Sequence, residues 1–242
     1  MNRTLAVVLP GLDGTGELLE GFAADAPPEF ECLLMRYPTD ELLGYDALTD
    51  LVLKRIPADR PLILIAESFA GPLGTRLAER LGDRVIALVF CNSFVTPPRS
   101  PLLRFLARTI LFRIRLPKRV LAAIVLTPLS TPELESLVDA TVRKVDPAVF
   151  AGRVRELLTV DDRPALRRVR APIHYLRGTH DRLVPEKGLR EITEAVPTVR
   201  VHRIHGPHAL LQTASAAAWA AIGIACHPES AKHDEGPPAD ST

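Results

Sequence analysis

Six short apolar runs recur along the chain: Thr4 to Leu9, Phe30 to Met35, Leu62 to Ala66, Val85 to Cys91, Ile173 to Arg177 and Val199 to Ile204. Each is nearly continuous in apolar residues, the pattern of a strand covered on both faces. Between them "DALTDLVLKRI", "GPLGTRLAERL" and "EKGLREITEAV" set apolar residues at helical spacing. Alternating strands and helices build a parallel sheet with its helices laid on the faces. The expected fold is therefore α/β, with a mostly parallel six-stranded sheet and helices on both faces. The sequence shows no internal repeat.

The connection between the fourth and fifth runs, from about Phe94 to about Arg168, is longer than the sheet needs and richer in helical pattern. We expect a helical cap at 95–168, inserted into a core made of 1–94 and 169–226. The final stretch "HPESAKHDEGPPADST" is polar and without apolar period, so 227–242 is expected to be a disordered tail. At 242 residues, 47% hydrophobic and 24% charged, one domain with a sizeable core is expected. A net charge of +1 gives no global field for nucleic acid, and none is expected as a partner. Cys32, Cys91 and Cys226 are odd in number, far apart and in no metal-like spacing, which suits buried thiols in a reducing compartment. The apolar run before Pro10 is too short for a signal peptide or a membrane span, so the expected location is cytoplasmic.

Chemistry enters where strands end. "LILIAESFAG" carries a buried strand into Ala66-Glu67-Ser68-Phe69-Ala70-Gly71, the pattern of a nucleophile elbow in which small neighbours are a steric requirement. A serine that merely caps the next helix is the other reading of the same residues. "VVLPGLDGTG" sets a glycine-rich loop after the first strand, where acyl transfer needs backbone N–H groups for a developing oxyanion. The loop lacks the spacing of a dinucleotide fingerprint and the lysine of a phosphate loop, which disfavours nucleotide binding. "YLRGTHDRLVP" places Asp181 after the fifth strand, as a carboxylate that orients a histidine or as a simple Asp turn. "VHRIHGPHALLQ" offers His205 and His208 after the sixth, each a candidate general base. His208 follows the Gly206-Pro207 turn and is expected to reach Ser68, whereas His205 is expected to point into the scaffold.

The order Ser68, Asp181, His208, each after a different strand, is that of α/β-hydrolases. The chain resembles that superfamily over 4–95 and 170–226, and "LPGLDGTG", "ESFAG" and "GPHALLQ" are most similar to a group of small bacterial serine hydrolases. Similar motifs occur in the hydrolase-like portion of plant phytyl ester synthases. The resemblance implies an α/β-hydrolase fold with Ser68 as nucleophile, Asp181 as acid and His208 as base. It also implies an oxyanion hole from the backbone N–H groups of Leu12 and Phe69. The first strand has Pro10-Gly11 in place of the common histidine-glycine pair, and the histidine loop reads Gly-Pro-His. No histidine lies four intervening residues before an aspartate, the signature of the acyltransferase segment carried by the plant proteins.

Such a triad acts on a small-molecule ester or thioester and needs no metal or organic cofactor. Acyl transfer, lyase or cofactor-free peroxidase chemistry, or a non-catalytic binding protein on the same fold, are the alternatives. Glu67 reads as a solvated residue that fits the turn, with tuning of the site or a salt bridge to a cap arginine as the alternative, and Asp13 as an Asx turn holding the glycine loop, with a substrate contact as the alternative. His174, His180 and His202 read as structural. Within the cap, no acidic residue occurs from Arg84 to Pro132. Arg104, Arg108, Arg115 and Arg119 share one helical face, and Leu103, Leu106, Ile110 and Ile114 another. The basic face is a solvated surface, or one drawn to an anionic acyl carrier or membrane surface. The apolar face, with "VLAAIVLTPL", is expected to roof Ser68 and favour a lipophilic substrate.

Overall fold

The computed structural model describes residues 3–98 and 117–226. The apolar runs form β1 (Thr4–Leu9), β2 (Phe30–Leu34), β3 (Leu62–Glu67), β4 (Val85–Cys91), β5 (Ile173–Gly178) and β6 (Arg200–Ile204). They make one six-stranded sheet in the order β2-β1-β3-β4-β5-β6. Every pairing in it is parallel, in registers such as Leu9 with Ala66 and Glu67 with Cys91. The described helices are α1 (Glu20–Ala24), α2 (Tyr45–Leu53), α3 (Gly71–Leu81), α4 (Lys118–Val125), α5 (Pro132–Arg143), α6 (Pro147–Thr159), α7 (Arg163–Leu166), α8 (Glu186–Ala195), α9 (Leu210–Thr213) and α10 (Ser215–Cys226).

Strand periodicity divides the apolar residues between two cores. Leu5, Val7, Leu9, Leu62, Leu64 and Ala66 face one side, packed with α2, α3 and α8. Ala6, Val8, Ile63, Ile65, Ala87 and Val89 face the other, packed with α1, α9 and α10, where Trp219 stacks on Phe22 with ring centroids 4.6 Å apart. Because every strand runs the same way, the loops after β1, β3, β4, β5 and β6 gather along a single edge, where sites of parallel sheets form.

The long connection after β4 splits in two. Helices α4 and α5 build a separate small cluster in which Ala122, Leu126 and Val138 meet Ala209 of the histidine loop. Helices α6 and α7 instead join the main core through Val154, Leu157 and Leu166. The cap stretch with Leu103, Leu106, Ile110, Ile114, Arg104, Arg108 and Arg115 lies outside the described residues, as does the tail at 227–242. Among the described residues, no helix is long and apolar enough to cross a membrane.

The approach of α3 to the sheet depends on glycine. A Cβ on Gly74 would lie 2.8 Å from the Cβ of Ala66, so the helix can sit this close only because the strand offers alanine and the helix offers nothing. We expect Gly74→Ala to destabilise the protein by about 1–3 kcal/mol through overpacking. The added change Ala66→Gly should recover part of that loss. Chemical denaturation midpoints of the single and double variants check it, and additive effects would show that the two positions do not press on one another.

Candidate active site

The end of β3 turns through a single 3-10 turn, Ser68–Ala70, directly into α3. Ser68 has φ 48°, in the left-handed region that non-glycine residues avoid. Its carbonyl accepts a hydrogen bond from Ser93 Oγ at 2.5 Å, and the next carbonyl, that of Phe69, accepts one from Tyr45 Oη at 3.0 Å. Tyr45 also stacks on the Phe69 ring, with centroids 4.8 Å apart. A Cβ on Gly71 would sit 2.2 Å from the carbonyl oxygen of Phe94, so the β4 loop can embrace the turn only at glycine.

Ser68 Oγ lies 2.9 Å from His208 Nε2, and His208 Nδ1 lies 2.9 Å from Asp181 Oδ1. Asp181 further accepts the backbone N–H groups of Leu183 and Val184, and Arg177 Nη1 donates to its Oδ2 at 3.0 Å. The Asp turn and the histidine-orienting carboxylate are thus one and the same residue. Burial alone would lower the pKa of His208; the charge and hydrogen bond of Asp181, aided by Glu67, outweigh it and leave the ring more basic than an ordinary histidine. The loop that carries His208 is held from β4: Asn92 Nδ2 donates to the carbonyls of Pro207 and His208, each at 2.9 Å, while Gly178 N donates to Asn92 Oδ1.

The glycine loop passes beside the serine, a Cβ on Gly11 falling 3.7 Å from Ser68 Cβ. Its Asx turn forms as expected, with Thr15 N donating to Asp13 Oδ2 at 2.9 Å. In a trans peptide the N–H points opposite to the C=O, so whatever grips the carbonyl aims the N–H. The Gly11–Leu12 peptide is gripped by Gly14 N, which donates to Gly11 O at 3.1 Å, and the Ser68–Phe69 peptide by Ser93 Oγ. From α6, the buried Arg153 reaches over and donates to the carbonyls of Leu12, Asp13 and Pro38.

A cavity of about 140 Å³ opens on Ser68 and His208. Its walls include Leu121, Val125, Leu134, Val138 and Phe150 from the connection after β4, besides Leu12 and Phe69. Glu67 also lines it and is buried, contrary to the solvated role expected of it. Its side chain turns inward because alternation along β3 sends it to the face opposite Ala66, under α9, where Gln212 Nε2 donates to Oε1 at 2.8 Å. Burial, only partly offset by Gln212, pushes the Glu67 carboxyl up to about 7. His205 is exposed rather than turned into the scaffold, since the chain is already leaving the edge strand there, and it meets His180 edge-on at 4.7 Å. His174 Nδ1 lies 3.0 Å from His202 Nε2, a pair that joins β5 to the edge strand β6. Among the described residues no group of three His, Cys, Asp or Glu side chains could hold a metal ion.

The sequence matches the profile of the Alpha/beta hydrolase family over residues 2–222. The chain belongs to this family. Its fold recurs in a hydrolase from Pseudomonas aeruginosa, 16% identical, with TM-score 0.76 and 91% of this chain matched to 88% of that one. An esterase from Thermogutta terrifontis is 15% identical, with TM-score 0.75 and coverage of 92% and 89%. The enol-lactonase from Burkholderia xenovorans is 21% identical, with TM-score 0.71 and coverage of 93% and 92%. No curated protein matches the chain.

Three residues that shape this hydrolase-family site carry no local motif, Asn92, Ser93 and Arg153, while Gln212 closes "GPHALLQ" without a role assigned from sequence. Of these only Ser93 and Asn92 had a positional signal, since they follow a strand that ends on the same edge as the serine. We expect Ser93→Ala to lower kcat about tenfold with little change in KM, because it frees the peptide that aims the Phe69 N–H rather than a substrate contact. Steady-state kinetics on an activated ester checks it.

Glu67 makes a second forecast, independent of turnover. Its carboxyl titrates at about 7 in the folded chain against 4.5 in the ordinary range, so between those values the folded state binds more protons and stability falls as pH rises. Glu67→Gln removes that loss. The variant should be little changed at pH about 4 to 5 and more stable than the parent above pH about 7, by up to about 3 kcal/mol. Thermal unfolding at the two pH extremes reads the difference.

Proposed function

We propose that the protein is a serine hydrolase that cleaves a carboxylic ester or thioester with a lipophilic acyl or alcohol part, through an acyl-enzyme on Ser68. The observation that carries this reading is the unbroken hydrogen-bonded line from Ser68 through His208 to Asp181, opening on an apolar cavity. Esterase and lactonase among the names of proteins with this fold support an ester bond as the target. The apolar walls of the cavity, with Leu121, Val125, Leu134, Val138 and Phe150, support a lipophilic substrate. Three unpaired cysteines support a cytoplasmic location.

In this mechanism His208 Nε2 takes the Ser68 proton as Oγ attacks the carbonyl carbon. Asp181 stabilises the imidazolium, and its bonds from Leu183, Val184 and Arg177 fix the carboxylate so that one oxygen faces Nδ1. The negative oxygen of the tetrahedral intermediate is received by the N–H groups of Leu12 and Phe69. Collapse expels the alcohol or thiol, which takes the proton back from His208. Water, deprotonated by the same nitrogen, then releases the acid. The cavity walls act before chemistry, by binding hydrocarbon that is remote from the reacting carbonyl.

A fluorophosphonate probe should label the wild-type chain, and neither Ser68→Ala nor His208→Ala should be labelled or turn over esters appreciably, both variants remaining folded. Undiminished turnover by Ser68→Ala would sink the reading. Replacing Leu121 and Leu134 with Ser should lower kcat/KM for long acyl chains well beyond the loss for acetyl esters, since each buried methylene contributes about 0.8 kcal/mol. A chain-length series on p-nitrophenyl esters decides it.

A further inference from the structure

The cavity is lined largely by apolar side chains; besides Ser68, His208 and Asp13, its polar lining among the described residues is the corner where Glu67 and Gln212 meet. Gln212 Nε2 is committed to Glu67 Oε1 at 2.8 Å. Gln212 Oε1 is buried and has no hydrogen-bond partner among the described residues. Among the described residues Glu67 pairs with no lysine or arginine; its carboxyl has the Gln212 amide, the backbone of Gly11 and the nearby charges of His208 and Asp13 for company. A Cβ on Gly11 would lie 3.5 Å from Glu67 Oε2. Both side chains line the same cavity as Ser68, and the mechanism above uses neither as a reacting group.

We propose that Glu67 and Gln212 form a polar subsite beside the nucleophile that binds a hydrogen-bond donor of the substrate, a hydroxyl or an amino group near the scissile carbonyl. This deepens the hydrolase reading and rests on it. The donor inventory decides the chemistry. With one Gln212 amide N–H given to Glu67, the atom of the pair left with no partner at all is an oxygen, Gln212 Oε1, which accepts. A purely hydrocarbon substrate seals an unpaired amide oxygen and a buried carboxyl away from water, whereas a hydroxyl or amine supplies a further donor. As a simple tie between β3 and α9, two apolar side chains would serve without stranding either oxygen. Location sets the reach: Glu67 precedes the nucleophile, and Gly11 precedes Leu12, so the corner adjoins the place of the bound carbonyl.

The test uses the whole protein and matched esters: p-nitrophenyl butanoate, its α-, β- and γ-hydroxy analogues and its β-amino analogue. An alcohol-side pair adds propyl and hydroxyethyl butanoate. Rates are scaled to uncatalysed hydrolysis. At least one donor-bearing ester should exceed its plain partner about tenfold in kcat/KM. That ratio should fall to about one in Gln212→Met or Glu67→Leu, whatever the absolute rates. A hydroxyl preference that survives Glu67→Gln assigns the contact to the Gln212 oxygen, and an amine preference lost in Glu67→Gln assigns it to the carboxylate; either supports the subsite. Turnover of all esters at equal scaled rates by the wild type, which needs no variant to fold, overturns the subsite and leaves the hydrolase reading standing. A preference unchanged in both Gln212→Met and Glu67→Leu does the same. Absence of both turnover and fluorophosphonate labelling overturns the hydrolase reading and the subsite with it.

Discussion

Ser68 holds a left-handed backbone that costs on the order of 1–3 kcal/mol, and it stays there only because the neighbourhood leaves it no alternative. Helix α3 must begin at once after β3, so Gly71 lies under the Phe94 carbonyl and Gly74 against Ala66. Ser93 and Tyr45 then hold the two carbonyls of the turn. The arrangement explains how alanines at 66 and 70 suffice beside the serine. The steric relief usually supplied by glycines next to the nucleophile is here taken up by glycines further along the helix.

The same logic extends to the other loops, which are fixed by partners on neighbouring strands rather than by themselves. Asn92, at φ 44°, is a residue type that tolerates the left-handed region, and its amide ties β5 to the histidine loop. Ala209 N donates to Val125 O at 2.9 Å, so the segment after β4 is bonded by backbone to the loop that carries His208. Arg153 binds the glycine loop from α6, and a Cβ on Gly14 would lie 2.6 Å from its Nη1. Residues of the long connection therefore help both to wall the cavity and to hold two of the loops that meet at the serine.

What could be read in the sequence follows the range of the forces involved. The six strands were legible because apolar runs and turn residues are local signals, and the observed bounds of β1 and β4 coincide with the runs Thr4 to Leu9 and Val85 to Cys91. Ser68, Asp181 and His208 were legible as loop residues in a known order, and the structure brings them into one hydrogen-bonded line. Asn92, Ser93 and Arg153 were not, because their partners are 82 or more residues away in most cases and nothing in their own neighbours announces it. Glu67 was misjudged for a related reason. Charge suggests exposure, but strand alternation placed it under α9, where only knowledge of Gln212 would reveal a partner.

Burial then acts on two neighbouring groups with opposite signs in pKa, lowering that of His208 and raising that of Glu67. For His208 the loss of water favours the neutral ring, yet Asp181 in contact restores and exceeds the lost stabilisation of the cation, which suits the base of the proposed mechanism. For Glu67 the loss of water favours the neutral acid, and among the described residues Gln212 and His208 offset it only in part. An apolar wall over the site deepens both effects, since low dielectric strengthens the paired charge and penalises the unpaired one. The two are also linked, because a charged Glu67 supports the imidazolium and a neutral one does not. A substrate that excludes the remaining water would thus strengthen the Asp181–His208 pair while forcing Glu67 to find a donor or stay protonated. The same loss of water that would prepare the base of the proposed mechanism would also make the proposed acidic corner selective.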